Sequence, residues 1–226
     1  MIRILSSKAR PIATASRRLA LIVALASTAI AQKPAAPLDI NLSLSSTAIH
    51  WTLNTTVHTV HGTFKLKTGT LHIDPANGAA SGQIVIDATS GESGDSARDK
   101  RMHEKVLESA KYPNITFRPT HVNGRVDLTS AGSITVDGIM NLHGQDHPMQ
   151  ITVNLRYKDA SIASQSHFTI PFVEWGLKDP SFMMFRTEKV VTLDVDASVV
   201  PTSEPSTHAS SIPPPVIRPS EAHSAP

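Results

Sequence analysis

The fold is indicated most clearly by one stretch near the C-terminal end of the chain, Val191-Thr192-Leu193-Asp194-Val195-Asp196-Ala197-Ser198-Val199. Every second side chain in this stretch is apolar, and the side chains between them are polar or charged. Since the side chains of a β-strand point alternately to its two faces, this period of two predicts a strand with one buried face and one solvated face.

The same alternation recurs through the middle of the chain. The further segments with this period are Ile49–Leu53, Val60–Leu66, Leu71–Ile73, Ile84–Ala88, Ile115–Phe117, Val122–Leu128, Ile134–Leu142, Ile151–Tyr157 and Phe168–Phe172. Asp74–Gly78 and Asn123-Gly124 have compositions typical of turns. Strands of this kind pack as a sandwich or close into a barrel, and closure removes exposed strand edges. We therefore expect an all-β fold, an eight-stranded antiparallel barrel.

One segment departs from the strand period. Within Ser96–Lys111, apolar residues recur at helical spacing from Met102 to Ala110. Ser96 and Asp99 have the spacing of a capping box, and Tyr112-Pro113 is a helix-ending pair. The sequence therefore predicts one short α-helix inserted between strands, where it can lie across a mouth or an edge of the barrel.

The N-terminal end has the features of an export signal. Residues 1–31 contain five bases, no acid, the apolar run Leu19–Ile30 and the small-residue site Ala29-Ile30-Ala31. This order is typical of a secretory signal peptide, because the apolar run is too short to span a bilayer. We expect cleavage after Ala31, no membrane-spanning segment afterwards, and a periplasmic or secreted protein. General secretion is the expected route, and Ser16-Arg17-Arg18 weakly resembles a twin-arginine signal.

The remaining chain divides into three parts by composition. The predicted parts are an N-terminal linker at 32–46, the barrel at 47–200 and a tail at 201–226. The tail holds seven of the sixteen prolines and few residues that could form a core. It is therefore predicted to be disordered or extended.

Charge and cysteine content exclude several classes of protein. The chain has 21 lysines and arginines against 19 acids, and five of these bases lie in the leader, so the mature protein carries a net charge near −3. It lacks the clustered basic excess that nucleic-acid binding requires. Because the chain has no cysteine, disulfides, thiolate nucleophiles, iron–sulfur clusters and covalently attached haem are excluded.

Histidine is the residue type that could carry metal or acid–base chemistry. Nine of the eleven histidines lie before the tail, and two close pairs, His58 with His61 and His143 with His147, could supply imidazole ligands. The sequence indicates no carboxylate or thiolate that converges with them, and it has no Gly-x-Ser-x-Gly elbow, phosphate-binding glycine loop or His-Glu-x-x-His helix. We predict no catalytic residue and no metal site.

The large aromatic side chains indicate more about the interior of the protein than the histidines do about a reactive site. The chain has two tryptophans and six phenylalanines, and most of them fall on the predicted inward faces of strands. Such rings either fill a solid core or line a dry tunnel for an apolar chain. The residues by themselves leave both interpretations open.

The stretch from Ala97 to Phe117 adds a more specific signal. It places Arg98-Asp99 before the predicted helix and Tyr112-Pro113-Asn114-Ile115-Thr116-Phe117 at the start of the next strand, and it resembles the hallmark of the YceI-like family. Three further segments resemble that family in the same order, His61–Phe64, Val136–Gly144 and Val191–Val199. The resemblance covers about Thr47–Val200.

This resemblance implies a lipocalin-like barrel, exported in bacteria, whose interior holds a long isoprenoid or other lipid chain without converting it. The tunnel residues that it implies are Trp51, Phe64, Leu66, Ile84, Ile86, Phe117, Met140, Phe168 and Phe172. The helix with Arg98 and Asp99 would close one side. Arg98 would contact a polar head group or make a structural contact near the helix start.

The sequence therefore predicts a non-enzymatic carrier or storage protein of the cell envelope. Its partner would be a hydrophobic small molecule, and it would need no cofactor other than a bound isoprenoid or fatty lipid. Two rival functions stay open at this point: a periplasmic metal-handling or enzymatic protein that uses histidines, and a solid-core interaction module whose proline-rich tail docks a partner. Nothing in the sequence decides between a monomer and a homodimer.

Overall fold

The structure is a computed structural model that describes residues 36–125, 131–158, 161–181 and 186–200. The predicted signal peptide at 1–31 and the predicted tail at 201–226 lie outside the described residues. Within the described ranges, no helix is both long enough and apolar enough to cross a membrane.

Strands dominate these ranges, as the period of two predicts. The strands are β1 Leu38–Leu42, β2 Thr47–Asn54, β3 Thr59–Ile73, β4 Ala80–Glu92, β5 Asn114–Asn123, β6 Gly132–Leu142, β7 Gln145–Lys158, β8 Ser161–Ile170 and β9 Val191–Val199. One short helix, α1 Ser96–Arg101, lies between β4 and β5 and continues into a π-helical turn, Met102–Val106. A single 3-10 turn, Leu44–Ser46, joins β1 to β2.

The sheet closes on itself. Each strand from β2 to β9 pairs antiparallel with the next, and β9 pairs back with β2, where Leu193 lies opposite Trp51. β1 and β2 pair with the same edge of the long strand β3, and Leu38 of β1 lies opposite Ile73 at its far end. Nine strands therefore occupy eight positions around the barrel, and the predicted eight-stranded antiparallel barrel with one short inserted helix is confirmed.

The predicted linker at 32–46 is wrong in its second half. Leu38–Leu42 form β1, whose alternating apolar side chains Leu38, Ile40 and Leu42 pack into the barrel. Only five residues carry this alternation, which is too short a run to separate from linker sequence without its partner strand. The barrel therefore begins before the predicted boundary at residue 47.

The predicted helix is also too long and begins with a different cap. The side chain of Asp95, not Ser96, accepts a hydrogen bond from the amide of Arg98 at 2.9 Å. Asp99 bonds outside the helix instead, to the amide of Ser93 at 2.9 Å. The helical path ends at Glu108, whose φ of 45° takes the chain out of the right-handed region, so Ser96–Lys111 is not one α-helix.

Apolar side chains fill one end of the barrel. Leu38, Ile73, Val122 and Ile134 form a buried cluster there, with exposures of 4–7 %. This closed end lies at the turns that join β3 to β4 and β5 to β6. A second and larger buried cluster extends from the middle of the barrel towards the end that carries α1.

Close contact between an aromatic ring and a glycine shapes this larger cluster. Gly138 of β6 lies beneath Phe117 of β5, and a Cβ atom built on Gly138 would stand 2.4 Å from Phe117 Cζ and 2.7 Å from the carbonyl oxygen of Arg118. Phe117 is 7 % exposed. Because Gly138 has no side chain, the ring of Phe117 can lie close to the backbone of β6.

We expect Gly138→Ala to lower the free energy of unfolding by about 1–3 kcal/mol, because the added methyl overpacks a site bounded by a ring and by backbone. Gly132→Ala in the same strand is the matched control, since a Cβ at Gly132 meets no atom within 4 Å. Denaturant unfolding of both variants checks the prediction. Equal stability of the two variants would contradict it.

Candidate functional site

An apolar cavity of about 260 Å³ occupies the part of the barrel nearer α1. Among the described residues that line it, four are polar, Thr55, Arg98, Arg101 and Thr187, and the others are apolar. The apolar lining residues are Trp51, Leu53, Val60, Phe64, Ile86, Met102, Val106, Leu107, Ile115, Met140, Leu142, Phe168, Ile170, Phe172, Leu177, Pro180, Val191, Leu193 and Val195. The barrel interior is therefore not filled at this end.

The polar lining residues gather at one place, which we call the mouth. Thr55 forms a β-bridge with Thr187, whose amide donates to the hydroxyl of Ser181 at 3.0 Å. Arg101 reaches the neighbouring carbonyl of Pro180 at 3.4 Å. The mouth thus lies between the β2–β3 turn, the chain after β8, and α1.

Six of the nine predicted tunnel residues line this cavity: Trp51, Phe64, Ile86, Met140, Phe168 and Phe172. Three do not. Leu66 and Phe117 are buried in the packed core at 4 % and 7 % exposure, and Ile84 packs half-buried against that core. Contact with a ligand stays a prediction for all nine.

Two further glycines determine how the rings at the cavity wall lie. Gly62 is the cross-strand partner of Trp51, and a Cβ there would stand 2.2 Å from Trp51 Cζ2. A Cβ at Gly91 would stand 2.5 Å from Phe64 Cε1. Because both glycines lack a side chain, the two rings lie along the wall, with centroids 6.5 Å apart, and leave the centre of the barrel open.

Much of the wall comes from positions that the resemblance did not single out. Val191, Leu193 and Val195 were recognised only as the inward face of a strand, and alternation does not show whether such a face meets a core or a void. Leu177 comes from the chain after β8, where the sequence had no signal for a wall residue. Phe172, which the resemblance did imply, lies in the same stretch, because β8 ends at Ile170 and not at Phe172 as predicted. The amide of Leu177 donates a hydrogen bond to the carbonyl of Phe172 at 3.0 Å.

Arg98 and Asp99 both hold the loop that precedes α1. The Nε of Arg98 donates to the Ser93 hydroxyl at 2.7 Å, and its Nη2 donates to the Ser93 carbonyl at 3.0 Å. Asp99 accepts from the amide and the hydroxyl of the same serine. Arg98 also lines the cavity, whereas Asp99 does not. The two residues therefore share a structural contact, and Arg98 alone is placed where a head group could reach it.

The segment Ser96–Leu107, which we call the mouth segment, contributes Met102, Val106 and Leu107 to the cavity wall. Partly buried polar contacts hold this segment in place. The Nε2 of His103 donates to the carbonyl of Gly91 at 2.8 Å, and its Nδ1 lies 2.9 Å from the Ser109 hydroxyl. Just beyond the segment, Glu108 pairs with the turn residue His143 at 2.8 Å. The predicted position across a barrel mouth matches this arrangement.

The paired histidines do not converge on a common centre. His61 Nδ1 lies 3.1 Å from the Thr52 hydroxyl, and His143 pairs with Glu108. The ring of His147 stacks on Trp175 with the centroids 4.1 Å apart. In the part of the chain that the structure describes, no group of three or more histidine, aspartate or glutamate side chains is arranged to hold a metal ion.

Comparison with known proteins agrees with this geometry. The family profile of the YceI-like domain matches residues 40–199. The structure of Burkholderia cenocepacia BcnA superposes with a TM-score of 0.59 at 16% sequence identity, covering 70% of this chain and 98% of that one. A polyisoprenoid-binding domain from Saccharophagus degradans superposes with a TM-score of 0.51 at 19% identity, covering 72% and 98%.

These two likenesses show a shared fold. No curated protein matches the chain by sequence. The family match is independent of the superpositions, and it spans β2 to β9 together with most of β1. The chain therefore belongs to the YceI-like family.

Proposed function

We propose that this protein binds the hydrocarbon chain of an isoprenoid or another long lipid inside its barrel, without converting it chemically. The observation that carries the proposal is the apolar cavity of about 260 Å³ with its four polar residues gathered at or near the mouth. The similarity in fold to a polyisoprenoid-binding domain supports the same ligand class. On this proposal the protein is a carrier or storage protein of the bacterial cell envelope, as the predicted signal peptide would require.

The physics of the site favours an apolar chain over water. Cavities lined by aliphatic and aromatic side chains remain dry, because water inside them would lack hydrogen-bond partners. Each methylene that leaves water for such a surface contributes about 0.8 kcal/mol to binding. A long chain can therefore bind tightly with few polar contacts, which fits a wall that offers almost none.

The size of the cavity suggests how a ligand would lie. Small-molecule sites usually enclose about 300–1,000 Å³, so this cavity is near the lower limit of that range. It suits a segment of one chain better than a bulky molecule. The polar end of the ligand would then remain at the mouth, beside Arg98 and Arg101.

Organic extraction of the natively purified protein, together with its intact mass under native conditions, tests the proposal directly. We expect one lipid per protein in the bound form, and loss of the added mass after extraction. Metal analysis of the same untagged preparation tests the histidine-based rival. A preparation with stoichiometric metal and no lipid would favour that rival.

Filling the cavity should displace the lipid. Val195 lines the cavity from β9, so an indole at this position in Val195→Trp occupies the space of the ligand. Ser198→Trp on the exposed side of the same strand is the matched control. We expect the first variant to lose most of its extractable lipid and the second to keep it, with both folded by circular dichroism. Retention of lipid by Val195→Trp would place the ligand outside the barrel.

Removing residues 201–226 should leave lipid binding intact, because the last described strand ends at Val199 and the lining residues among the described ones end at Val195. The lipid-to-protein ratio after extraction measures this. Loss of lipid in the shortened protein would contradict binding inside the barrel and would support the interaction-module rival, in which the tail carries the function.

A further inference from the structure

A basic groove runs beside the mouth of the cavity. It lies between the mouth segment and the chain at 178–180, and its charged lining residues are Lys100, Arg101, Glu104, Lys105, Lys178 and Asp179. Arg101, Val106 and Pro180 line both the groove and the cavity. Anything bound in the groove would therefore lie directly next to the opening.

The charge of this groove is opposite to that of the remaining barrel. The groove has four bases and two acids, whereas the rest of residues 36–200 has ten bases and fifteen acids. Both groove acids already have partners. Glu104 pairs with Lys100 at 3.9 Å, and Asp179 accepts from the amide of Ser181 at 2.8 Å. Hydrogen bonds from Ser181 also hold the pKa of Asp179 below its usual value.

An exposed apolar residue lies at the same end of the barrel. Val57, at the tip of the β2–β3 turn, is 62 % exposed. The neighbouring Thr56 donates its amide to the carbonyl of Arg186 at 3.0 Å, and Thr55 lines the cavity. Basic side chains at the same end of a protein as an exposed apolar residue are a combination that favours binding to the surface of anionic membranes.

We propose that the mouth end of the barrel docks on the surface of an anionic lipid bilayer through this basic groove, with Val57 as an apolar contact. Docking would bring the mouth to the bilayer, so that a hydrocarbon chain could pass between the two without crossing water. That consequence rests on the proposed lipid-carrying function. The docking itself does not require a bound lipid and can be measured separately.

Flotation of the purified protein with lipid vesicles tests the docking. We expect the protein to float with vesicles that contain phosphatidylglycerol and phosphatidylcholine in equal parts, and to remain behind with phosphatidylcholine alone. Binding should weaken as salt is added, because the attraction between the groove and the bilayer is electrostatic. A lipid merely extracted into the cavity leaves the protein in the soluble fraction, so flotation distinguishes docking from loading.

Charge reversal locates the docking face. Lys105→Glu with Lys178→Glu should weaken flotation by about tenfold or more, since each base near an anionic surface contributes to binding. The matched control is the double variant Arg125→Glu with Arg156→Glu. It changes the net charge by the same amount, but at exposed positions of the closed end. This control should float like the unchanged protein. Val57→Ser, which leaves all charges in place, should weaken flotation by a smaller factor.

Three results would overturn the docking proposal: no flotation of the unchanged protein, equal flotation with neutral vesicles, or an equal loss in both charge-reversed variants. Lipid content after extraction is measured on the same preparations. Docking by a protein that contains no lipid would contradict the proposed function alone. Lipid-loaded protein that does not float would contradict the docking alone.

Discussion

The hollow part of this barrel depends on close contact between aromatic rings and glycines. An inward-facing phenylalanine or tryptophan would normally project towards the barrel axis, and several of them would fill an eight-stranded interior. Here Trp51 lies over Gly62 and Phe64 lies against Gly91, in space that a methyl group at either glycine would take. The rings thus add apolar surface to the wall without occupying the centre.

The two ends of the barrel differ, because one is filled with packed side chains and the other is covered by a short helical segment. Leu38 of β1 and its neighbours fill one end with packed apolar side chains. At the other end the cover is a short helical segment held by polar contacts, such as those of His103 with Gly91 and Ser109. Packed apolar residues are costly to displace, whereas a short segment with few buried residues opens at lower free energy. A ligand would accordingly enter and leave at the mouth.

Charge is distributed unevenly between the groove beside the mouth and the rest of the chain at 36–200. The groove beside the mouth has four bases and two acids, whereas acids outnumber bases in the rest of residues 36–200. Among the described residues that line the cavity, the titratable groups are Arg98 and Arg101, which lie at or near the mouth. Binding and placement of an apolar molecule are therefore the chemistry that the described residues support best.

Most of the strands and most of the inward faces could be predicted from the sequence, and a barrel was expected over a sandwich. This was possible because a half-buried strand must alternate apolar and polar side chains whatever its neighbours are, as Val191–Val199 does. Its resemblance to a family also indicated an apolar interior. Short elements without room for a period, such as Leu38–Leu42 and the cap at Asp95, escaped prediction.

Whether the interior is solid or hollow could be seen only from the folded arrangement of the strands. Phe64 and Phe117 have the same side chain and the same inward direction in sequence, yet one lines the cavity and the other is packed in the core. The difference depends on where each ring lies along the barrel and on which residues surround it, and these neighbours lie far away in sequence. A void is a property of the space between strands, so no alternation along one strand can report it.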